Sequence, residues 1–519
     1  MDFSLPAAPL AVTQAGLQLP ETPVPFPALL AAMMLQTAPA AVDTDTRTWW
    51  ATTTALSSDA MEGRDVGSAG HERAARLVAA RLAKAGVQPL GDAGGWFQTV
   101  PMEEIAIPRA TLAVGGRTLR FLHDVYAAPG QVPAAIDAPL AYRGYCASDA
   151  LGDVRGRIVI CHGSRRAGLP SAADRIAALR KAGAEGLITI ADPGFTVEPP
   201  RWPYADARSV RLRGSAFSPA LLTQMTLRAG ALATILQGSG QDAAALIAAG
   251  SEGRPLPAFD LTDRLTASFA MTQRSLSASN VIGILPGTDP ALAGQAVVLT
   301  AHLDGYGHGT PVEGDGLYNG TLDDAAYVAL LVRLAERRGG KGFRRPIVFA
   351  IVTGEEKGLL GTRWFLDHPT IPRTRMAANI NLDQLRPIFP LELLTVHALD
   401  ATTLGDDARA VAGAMGVTVQ ADPEPERNLL RRSDHWPFLQ AGVPATSFVF
   451  GYRPGSESEA IYRRWYVTGY HTPKDDPVQR IDWTAAADFN RFFYALVHRV
   501  ADQDAAPAWK DGGKARLGL

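Results

Sequence analysis

The sequence predicts an α/β protein with a mixed, largely parallel central sheet flanked by helices. From residue 277 onward, apolar runs typical of buried strands alternate with segments of helical periodicity. Residues 110–275 instead carry short β-like runs, turn signals and one strong helical pattern. This change of character indicates a second, smaller α/β unit inserted into the first.

The chain has 519 residues, more than one hydrophobic core usually serves. We therefore divide it into a leader or possible signal segment (1–42), the N-terminal part of the main domain (43–109), the insertion (110–275), the rest of the main domain (276–505) and a C-terminal tail (506–519).

The individual elements follow from the same patterns. Helices are predicted at HERAARLVAARLAKAG (71–86), SAADRIAALRKAGAEG (171–186) and DDAAYVALLVRLAERRGG (323–340). Strands of the insertion are predicted at ATLAVGG, PLAYRGYC, GRIVICHG, EGLITIADP and ATILQG. Strands of the main domain are predicted at SASNVIGILPG, QAVVLTAHLDG, RPIVFAIVTG, AANINLD and VPATSFVFG.

Charge and hydropathy exclude two classes of partner. Lys and Arg number 50 against 52 Asp and Glu, without a long basic run, so no nucleic-acid partner is predicted. No run of 18 apolar residues occurs, so no integral membrane span is predicted. The oligomeric state is not predicted.

The N-terminal segment PFPALLAAMMLQTAPAAV (25–42) looks like the apolar core and cleavage region of a secretory signal, although no basic residue precedes Arg47. We expect export to the periplasm or the medium. In that case Cys146 and Cys161 could pair; two buried thiols are the equal alternative.

Candidate metal ligands follow the predicted strands. Three strand-like runs end in acids or a histidine, AHLD, TGEE and INLD, and ligands of such sheets bind at the carboxyl ends of the strands. Together with the motifs GTLDDAA and GYHTPKDD they supply His302, Asp323, Glu356, Asp383 and His471.

Each of these residues alone has a structural explanation, but buried carboxylates at strand ends must be compensated. Two imidazoles and three carboxylates suit zinc, cobalt or manganese. Five ligands exceed the three that one catalytic zinc takes from protein, whereas two ions that share a bridging carboxylate use all five and hold a hydroxide between them.

The adjacent residues Glu355 and Glu356 are then expected to have different roles. One glutamate binds metal, and the other remains free to take the proton of the bridging water as a general base. Asp304 lies two residues after His302, on the same face of an extended chain. We expect it to accept the other ring N–H of His302.

The motifs HLD (302–304), GTLDDAA, TGEEKGLLGT, NLD (381–383), SDHWPFLQAGVPA and YHTPKDD resemble, in order and spacing, the M28 family of dizinc aminopeptidases. SSDAMEGRDVGSAGHERAARLVAARLAKAG is similar to that family's N-terminal region. The insertion, with DVRGRIVICHG and ALRKAGAEGLITI, resembles a protease-associated domain.

The resemblance implies two zinc ions per chain, with cobalt or manganese possible. His302, Asp323 and Asp383 would hold one ion, and Asp323, Glu356 and His471 the other. Glu355 would be the general base and Asp304 the orienting residue. In GTLDDAA, Asp324 stands where the family has asparagine, and the alignment assigns the bridge to Asp323.

The implied substrate is a peptide whose N-terminal amino acid is released. Tyr470, Trp436 and Phe438 are candidates for shaping its pocket, and ordinary core aromatics are the alternative. Three other functions stay open: a metallocarboxypeptidase with Arg386, Arg431 and Arg432 as carboxylate clamp, a glutaminyl-cyclase-like acyltransferase with one zinc, and an inactive receptor-like binding protein.

Overall fold

The structure is a computed structural model that describes residues 42–164, 166, 168–194, 208–215 and 222–519. The predicted leader lies outside these ranges apart from its last residue. All elements below belong to the described ranges.

The helices alternate with strands along the main domain. They are α1 (Thr44–Leu56), α2 (Ala69–Lys84), α3 (Ala172–Lys181), α4 (Leu232–Leu236), α5 (Ala243–Glu252), α6 (Ala326–Arg338), α7 (Leu360–Asp367), α8 (Leu404–Ala414), α9 (His435–Gln440), α10 (Glu457–Thr468), α11 (Trp483–Asp502) and α12 (Gly513–Arg516).

The strands of the first half are β1 (Gln88–Pro89), β2 (Phe97–Val114), β3 (Arg117–Leu119), β4 (Val125–Tyr126), β5 (Ala135–Arg143), β6 (Ile158–His162), β7 (Gly186–Ile190), β8 (Arg208–Leu212), β9 (Thr223–Leu227) and β10 (Ala258–Leu285). Those of the second half are β11 (Ala296–His302), β12 (Gly307–Val312), β13 (Asp315–Tyr318), β14 (Ile347–Val352), β15 (Met376–Asn381), β16 (Leu393–His397), β17 (Thr418–Gln420) and β18 (Ala445–Phe450).

The main sheet has the order β17-β16-β18-β15-β11-β14-β10. β14, β11, β15 and β18 pair in parallel, whereas β10 runs antiparallel to β14 and β16 antiparallel to β18. β17 pairs in parallel with β16 at the edge. The predicted mixed, largely parallel sheet is therefore confirmed. β16 and β17 are strands of this sheet that the sequence reasoning missed.

Helices cover both faces of this sheet. Every residue of β11 and β14 is buried, as expected for strands whose two faces both pack. On one face α1, α2, α6 and α11 enclose a large core, and on the other α7 and α9 pack over the alternate side chains of the same strands. The predicted helices at 71–86, 171–186 and 323–340 correspond to α2, α3 and α6.

The inserted segment joins the main domain through two long strands. β2 and β10 pair antiparallel from Phe97 with Val281 to Val114 with Leu265, and so run past the predicted boundaries at 109 and 275. β5, β6, β7 and β9 continue the sheet from β10, and residues between Ile107 and Phe269 form a hydrophobic core of their own. The domain division stays a prediction.

Two details of the insertion bear on the sequence reasoning. The predicted strand ATILQG is wrong: it forms helix α4, because Leu232, Ile235 and Leu236 bury one side at helical spacing. Cys146 and Cys161 form a disulfide, which decides between the two alternatives. In the described part of the chain, no helix combines the length and apolar character that a bilayer crossing requires.

Candidate metal centre

Three neighbouring strands end at one place. β11 ends at His302, β14 ends at Val352 just before the glutamate pair that includes Glu356, and β15 ends at Asn381 just before Asp383. β14 and β15 both pair in parallel with β11, so their carboxyl ends lie at the same edge of the sheet.

A further side chain arrives on the turn before α6. Thr321–Ala325 form a π-helical turn that follows Gly320, whose φ of 59° is the left-handed conformation that glycine adopts readily. The carboxylate of Asp475 accepts the backbone N–H of Leu322 at 2.9 Å and of Asp323 at 3.0 Å. These bonds hold Asp323 over the strand ends.

Asp323 lies between two histidines. Its Oδ1 is 3.2 Å from Nε2 of His302, and its Oδ2 is 2.9 Å from Nε2 of His471. On the first side, Oδ1 of Asp383 is 3.8 Å from Nε2 of His302. On the second side, Oε1 of Glu356 is 3.2 Å from Nε2 of His471. The five predicted ligands thus converge on two half-sites that share one carboxylate.

The donor set fits a bound divalent cation. Oδ2 of Asp323 and Oδ1 of Asp383 are buried and accept no hydrogen bond from the described residues. Such carboxylate oxygens are costly unless a cation satisfies them. One ligand atom each from His302, Asp323 and Glu356 lies within 4.8 Å of the other two. Imidazole nitrogen and carboxylate oxygen are the ligands that zinc takes.

Closely packed acids control the protonation of this site. Burial alone would lower the pKa of His302, but the surrounding carboxylates, Asp324 foremost, raise it well above its usual value. Burial also raises the pKa of Asp324, and the neighbouring Asp383 and Asp323 raise it further. The site therefore concentrates negative charge in a buried place.

Asp324 has a different position from Asp323. Its Oδ2 accepts the backbone N–H of His302 at 3.0 Å, so it ties the turn before α6 to the end of β11. The structure brings Asp323, and not Asp324, between the two histidines.

Asp304 differs in detail from the sequence expectation. Nδ1 of His302 lies 3.0 Å from the main-chain carbonyl oxygen of Asp304 and 3.9 Å from its Oδ1. The carboxylate instead accepts the backbone N–H of Glu355 at 3.1 Å and of Glu356 at 3.3 Å. The ring is thus oriented by a carbonyl, because the carboxylate is occupied in holding the glutamate pair.

Glu355 is half-buried and lines the cleft, as do all the candidate ligands except His302. Burial raises its pKa well above the usual value; His302 opposes the rise, and Asp383 and Glu356 add to it.

The cleft over the centre has a volume of about 340 Å³. Tyr470 lies in its wall, and the Tyr470 hydroxyl accepts a hydrogen bond from Nε2 of Gln384 at 2.7 Å. The ring of Tyr306 packs edge-on against the ring of His471, with centroids 4.4 Å apart. Both tyrosines line the cleft.

Trp436 and Phe438 are not among the described residues that line the cleft. Both belong to α9 and pack into the core beneath the sheet, where Phe438 is fully buried and Trp436 is 7% exposed. Their expected role in the pocket is corrected: α9 turns its apolar side to the strands, and Arg431 lies between Trp436 and the cleft, with its guanidinium 5.1 Å from the ring centroid.

Two supporting residues escaped the sequence reasoning. Arg64 is fully buried and donates to the carbonyls of Leu303, Asn319 and Gly320, so it anchors the loop that carries Asp323. Asp475 belongs to the YHTPKDD motif, of which only the histidine was singled out. Its place four residues after the candidate ligand His471, in a run of two acids, was the available signal.

Comparison with known proteins agrees with this geometry. Residues 280–497 match the family model described as peptidase family M28. Leupeptin-inactivating enzyme 1 of Streptomyces exfoliatus is 24% identical over 191 residues, which are 36% of this chain and 40% of that protein. The alkaline phosphatase isozyme conversion protein of Escherichia coli K12 is 28% identical over 228 residues, 40% of this chain and 65% of that protein. The chain thus spans less than two thirds of either relative.

Solved structures share the fold over nearly the whole chain. An aminopeptidase from Aneurinibacillus sp. strain AM-1 superposes with a TM-score of 0.60 at 19% identity, covering 89% of this chain and 95% of that one. BSAP, a zinc aminopeptidase from Bacillus subtilis, has a TM-score of 0.60 at 20% identity, covering 90% and 97%. Over residues 280–497, the chain is similar to peptidase family M28.

Proposed function

We propose that this protein is a zinc-dependent exopeptidase that releases N-terminal amino acids from peptides. The observation that carries the proposal is the position of Asp323 between His302 and His471, at 3.2 and 2.9 Å. Catalytic sites with two ions about 3.5–4 Å apart activate one water for hydrolysis, and a shared carboxylate suits such a pair. The M28 match and the fold shared with solved zinc aminopeptidases support the same activity.

In this proposal two zinc ions bind per chain. His302 and Asp383 would hold the first ion, Glu356 and His471 the second, and Asp323 both. Cobalt or manganese would suit the same ligands. When bound, zinc supplies Lewis-acid polarisation of the scissile carbonyl and lowers the pKa of water.

Glu355 moves the proton in this mechanism. One of its carboxylate oxygens takes a proton from the attacking water and then delivers it to the nitrogen of the leaving amine, so that Glu355 returns to its starting state. Asp304 positions Glu355, because the Asp304 carboxylate accepts the backbone N–H of Glu355. Tyr470, held through its hydroxyl by Gln384, provides a fixed wall for the substrate.

A second candidate is the metallocarboxypeptidase. The observation in its favour is that Arg386, Arg431 and Arg432 all line the cleft, where they would meet a free C-terminal carboxylate. The acyltransferase and the inactive receptor have no comparable support, because the ligands of both half-sites and the neighbouring glutamate are all present.

The location and the insertion are also proposals. We infer that the chain is exported, since a disulfide between Cys146 and Cys161 requires an oxidising compartment to persist. We interpret residues 110–275 as a protease-associated domain, and their separate hydrophobic core supports this interpretation.

The test compares the wild type with Glu355→Gln and with Glu392→Gln, because Glu392 is exposed directly before β16 and is not among the described residues that line the cleft. Hydrolysis of aminoacyl-arylamides should stop with chelator and return with zinc. Glu355→Gln should lower kcat by about 100- to 10,000-fold with the zinc content retained, and Glu392→Gln should leave kcat unchanged.

Unchanged turnover in Glu355→Gln would refute the assigned base. One zinc per chain at full hydrolytic activity would refute the two-ion site. One zinc per chain without hydrolysis of the arylamides would favour the acyltransferase. Cleavage only from the C-terminal end of peptides blocked at the N-terminus would favour the carboxypeptidase.

A further inference from the structure

The cleft carries charges of both signs. Among the described residues that line it, the carboxylates all belong to the surroundings of the metal centre: Asp323, Glu355, Glu356 and Asp383. The wall also carries four arginines, Arg363, Arg386, Arg431 and Arg432. A peptide substrate that enters the cleft therefore meets both acidic and basic groups.

Arg386 is a buried cation with no acidic partner among the described residues. Its Nη2 donates to Oε1 of Gln384 at 3.0 Å, and its guanidinium lies 4.6 Å from the ring centroid of Tyr466 and 4.8 Å from that of Tyr462. Its Nη1 is buried and makes no hydrogen bond in the described part of the chain. A buried charge without a countercharge is costly, and an anionic ligand would offset that cost.

Arg427, the nearest other buried arginine, shows the contrast. It packs on the same ring of Tyr466, with 4.3 Å to the centroid, but pairs with Glu424 at 3.1 Å. Of these two neighbouring cations, the one without a carboxylate is the one that lines the cleft.

His397 is a second buried polar residue of the cleft wall whose polar atoms lack a partner. It is the last residue of β16, pairs with Ser447 of β18, lines the cleft and is 5% exposed. Neither of its ring nitrogens has a hydrogen-bond partner among the described residues. Its ring stacks on His435, with centroids 5.4 Å apart and planes 9° apart, so the orientation of the ring is set by packing.

We propose that Arg386, His397 and Arg431 form a subsite that binds a carboxylate of the substrate. This inference rests on the proposed peptidase function and adds the substrate class. The N-terminal ammonium group lies toward the acids of the metal centre, and the carboxylate lies toward the subsite, where His397 donates an N–H and the arginines supply positive charge.

Two parts of a peptide can supply the carboxylate. One is the side chain of an N-terminal Glu or Asp residue, and the other is the free C-terminus of a dipeptide. The chemistry recognised is the same, and matched substrate pairs distinguish the two sources.

The first experiment uses the zinc-loaded full chain and isosteric substrates. Glu-arylamide is compared with Gln-arylamide, and Ala-Ala with Ala-Ala-amide, by kcat/KM. We expect a preference of about tenfold or more for the charged member of one pair. The first pair reports the side chain and the second the C-terminus. Ratios within about twofold of one for both pairs would overturn the subsite.

The second experiment removes the subsite while keeping the fold. His397→Phe keeps the stacked ring but loses the N–H, and Arg431→Ala removes an exposed charge at the rim. Each should reduce the preference for the charged substrate by about threefold or more and leave kcat/KM for Leu-arylamide within about twofold of wild type. Arg109→Ala, an exposed arginine of β2 that does not line the cleft, is the matched control.

Arg386→Lys is a further variant that keeps the charge but not the guanidinium.

A third experiment does not require turnover. It compares the binding of free L-glutamate with that of free L-glutamine by calorimetry. Glutamate should bind about tenfold more tightly, and His397→Phe should remove the difference. Equal binding of the two amino acids, together with no preference for the charged member of either substrate pair, would overturn the subsite. If Leu-arylamide is still hydrolysed, the peptidase proposal stands. Failure to hydrolyse any substrate with zinc bound overturns the peptidase proposal instead.

Discussion

Arg64 offers a direct test of how the site is held. It is fully buried, and its guanidinium makes four hydrogen bonds of 2.7–2.8 Å to the carbonyl oxygens of Leu56, Leu303, Asn319 and Gly320. These carbonyls belong to the end of α1, the end of β11 and the turn that carries Asp323. The replacement Arg64→Met fills a similar volume but cannot donate.

The expected cost follows from those bonds. Each hydrogen bond contributes about 1 kcal/mol net, and the four buried carbonyls would lose their donors together, so the free energy of unfolding should fall by about 4 kcal/mol. Burial lowers the pKa of Arg64, and the nearby Asp475, Asp324 and Asp304 counteract that shift, so the acids would also lose a compensating charge.

Urea unfolding of the zinc-free protein, followed by circular dichroism and tryptophan fluorescence, measures this change. Arg76→Met is the control, because Arg76 pairs with Glu72 on the surface of α2 with 61% of its side chain exposed. We expect the control to change the free energy of unfolding by less than about 0.5 kcal/mol. If Arg64→Met costs less than about 1 kcal/mol, or no more than the control, Arg64 does not hold the site.

Two further predictions concern stability. His71 is buried and its pKa is lowered to about 4, so the unfolded chain binds a proton that the folded chain does not. The contribution of His71 to the free energy of unfolding is therefore present above pH 6.5 and is lost as the pH falls, by about 3 kcal/mol at pH 4. The free energy of unfolding of wild type should therefore decline more steeply below pH 6.5 than that of His71→Gln, and parallel curves would contradict the assignment. Cys146→Ala with Cys161→Ala opens a loop closed over 15 residues and should cost about 3 kcal/mol; thermal unfolding at equal midpoints for both proteins would exclude this contribution.

Much of the metal centre could be predicted because strand ends are marked in the sequence. The runs that end at His302, Glu356 and Asp383 are apolar and continuous, as parallel strands buried on both faces must be. Parallel pairing then brings their ends together without any further information. Asp323 and His471 lie on a turn and a loop, and the resemblance to a known family was needed to choose Asp323 over Asp324 as the bridge.

Other features depend on contacts that no local pattern carries. Arg64 reaches carbonyls more than 230 residues away in sequence, at Leu303 and Asn319. Trp436, which lies in the motif SDHWPFLQAGVPA, was expected at the cleft, but the side of a short helix that faces the core depends on its packing against the sheet. The carboxylate of Asp304 accepts the N–H of Glu355, and the His302 ring nitrogen lies against the Asp304 main-chain carbonyl instead.

The buried acids of the site divide into two kinds, and the division explains why a cation belongs there. Asp304, Asp324 and Asp475 each accept backbone N–H groups of the segments that carry the ligands, so they hold the site in shape. Asp323 turns Oδ2 to a place where no described donor satisfies it. The buried guanidinium of Arg64 is directed at carbonyl oxygens, so it donates its hydrogen bonds there and not to this carboxylate. A divalent ion at Asp323 would therefore neutralise charge that the fold has brought together, and we expect zinc to stabilise the joined strand ends as well as to support hydrolysis.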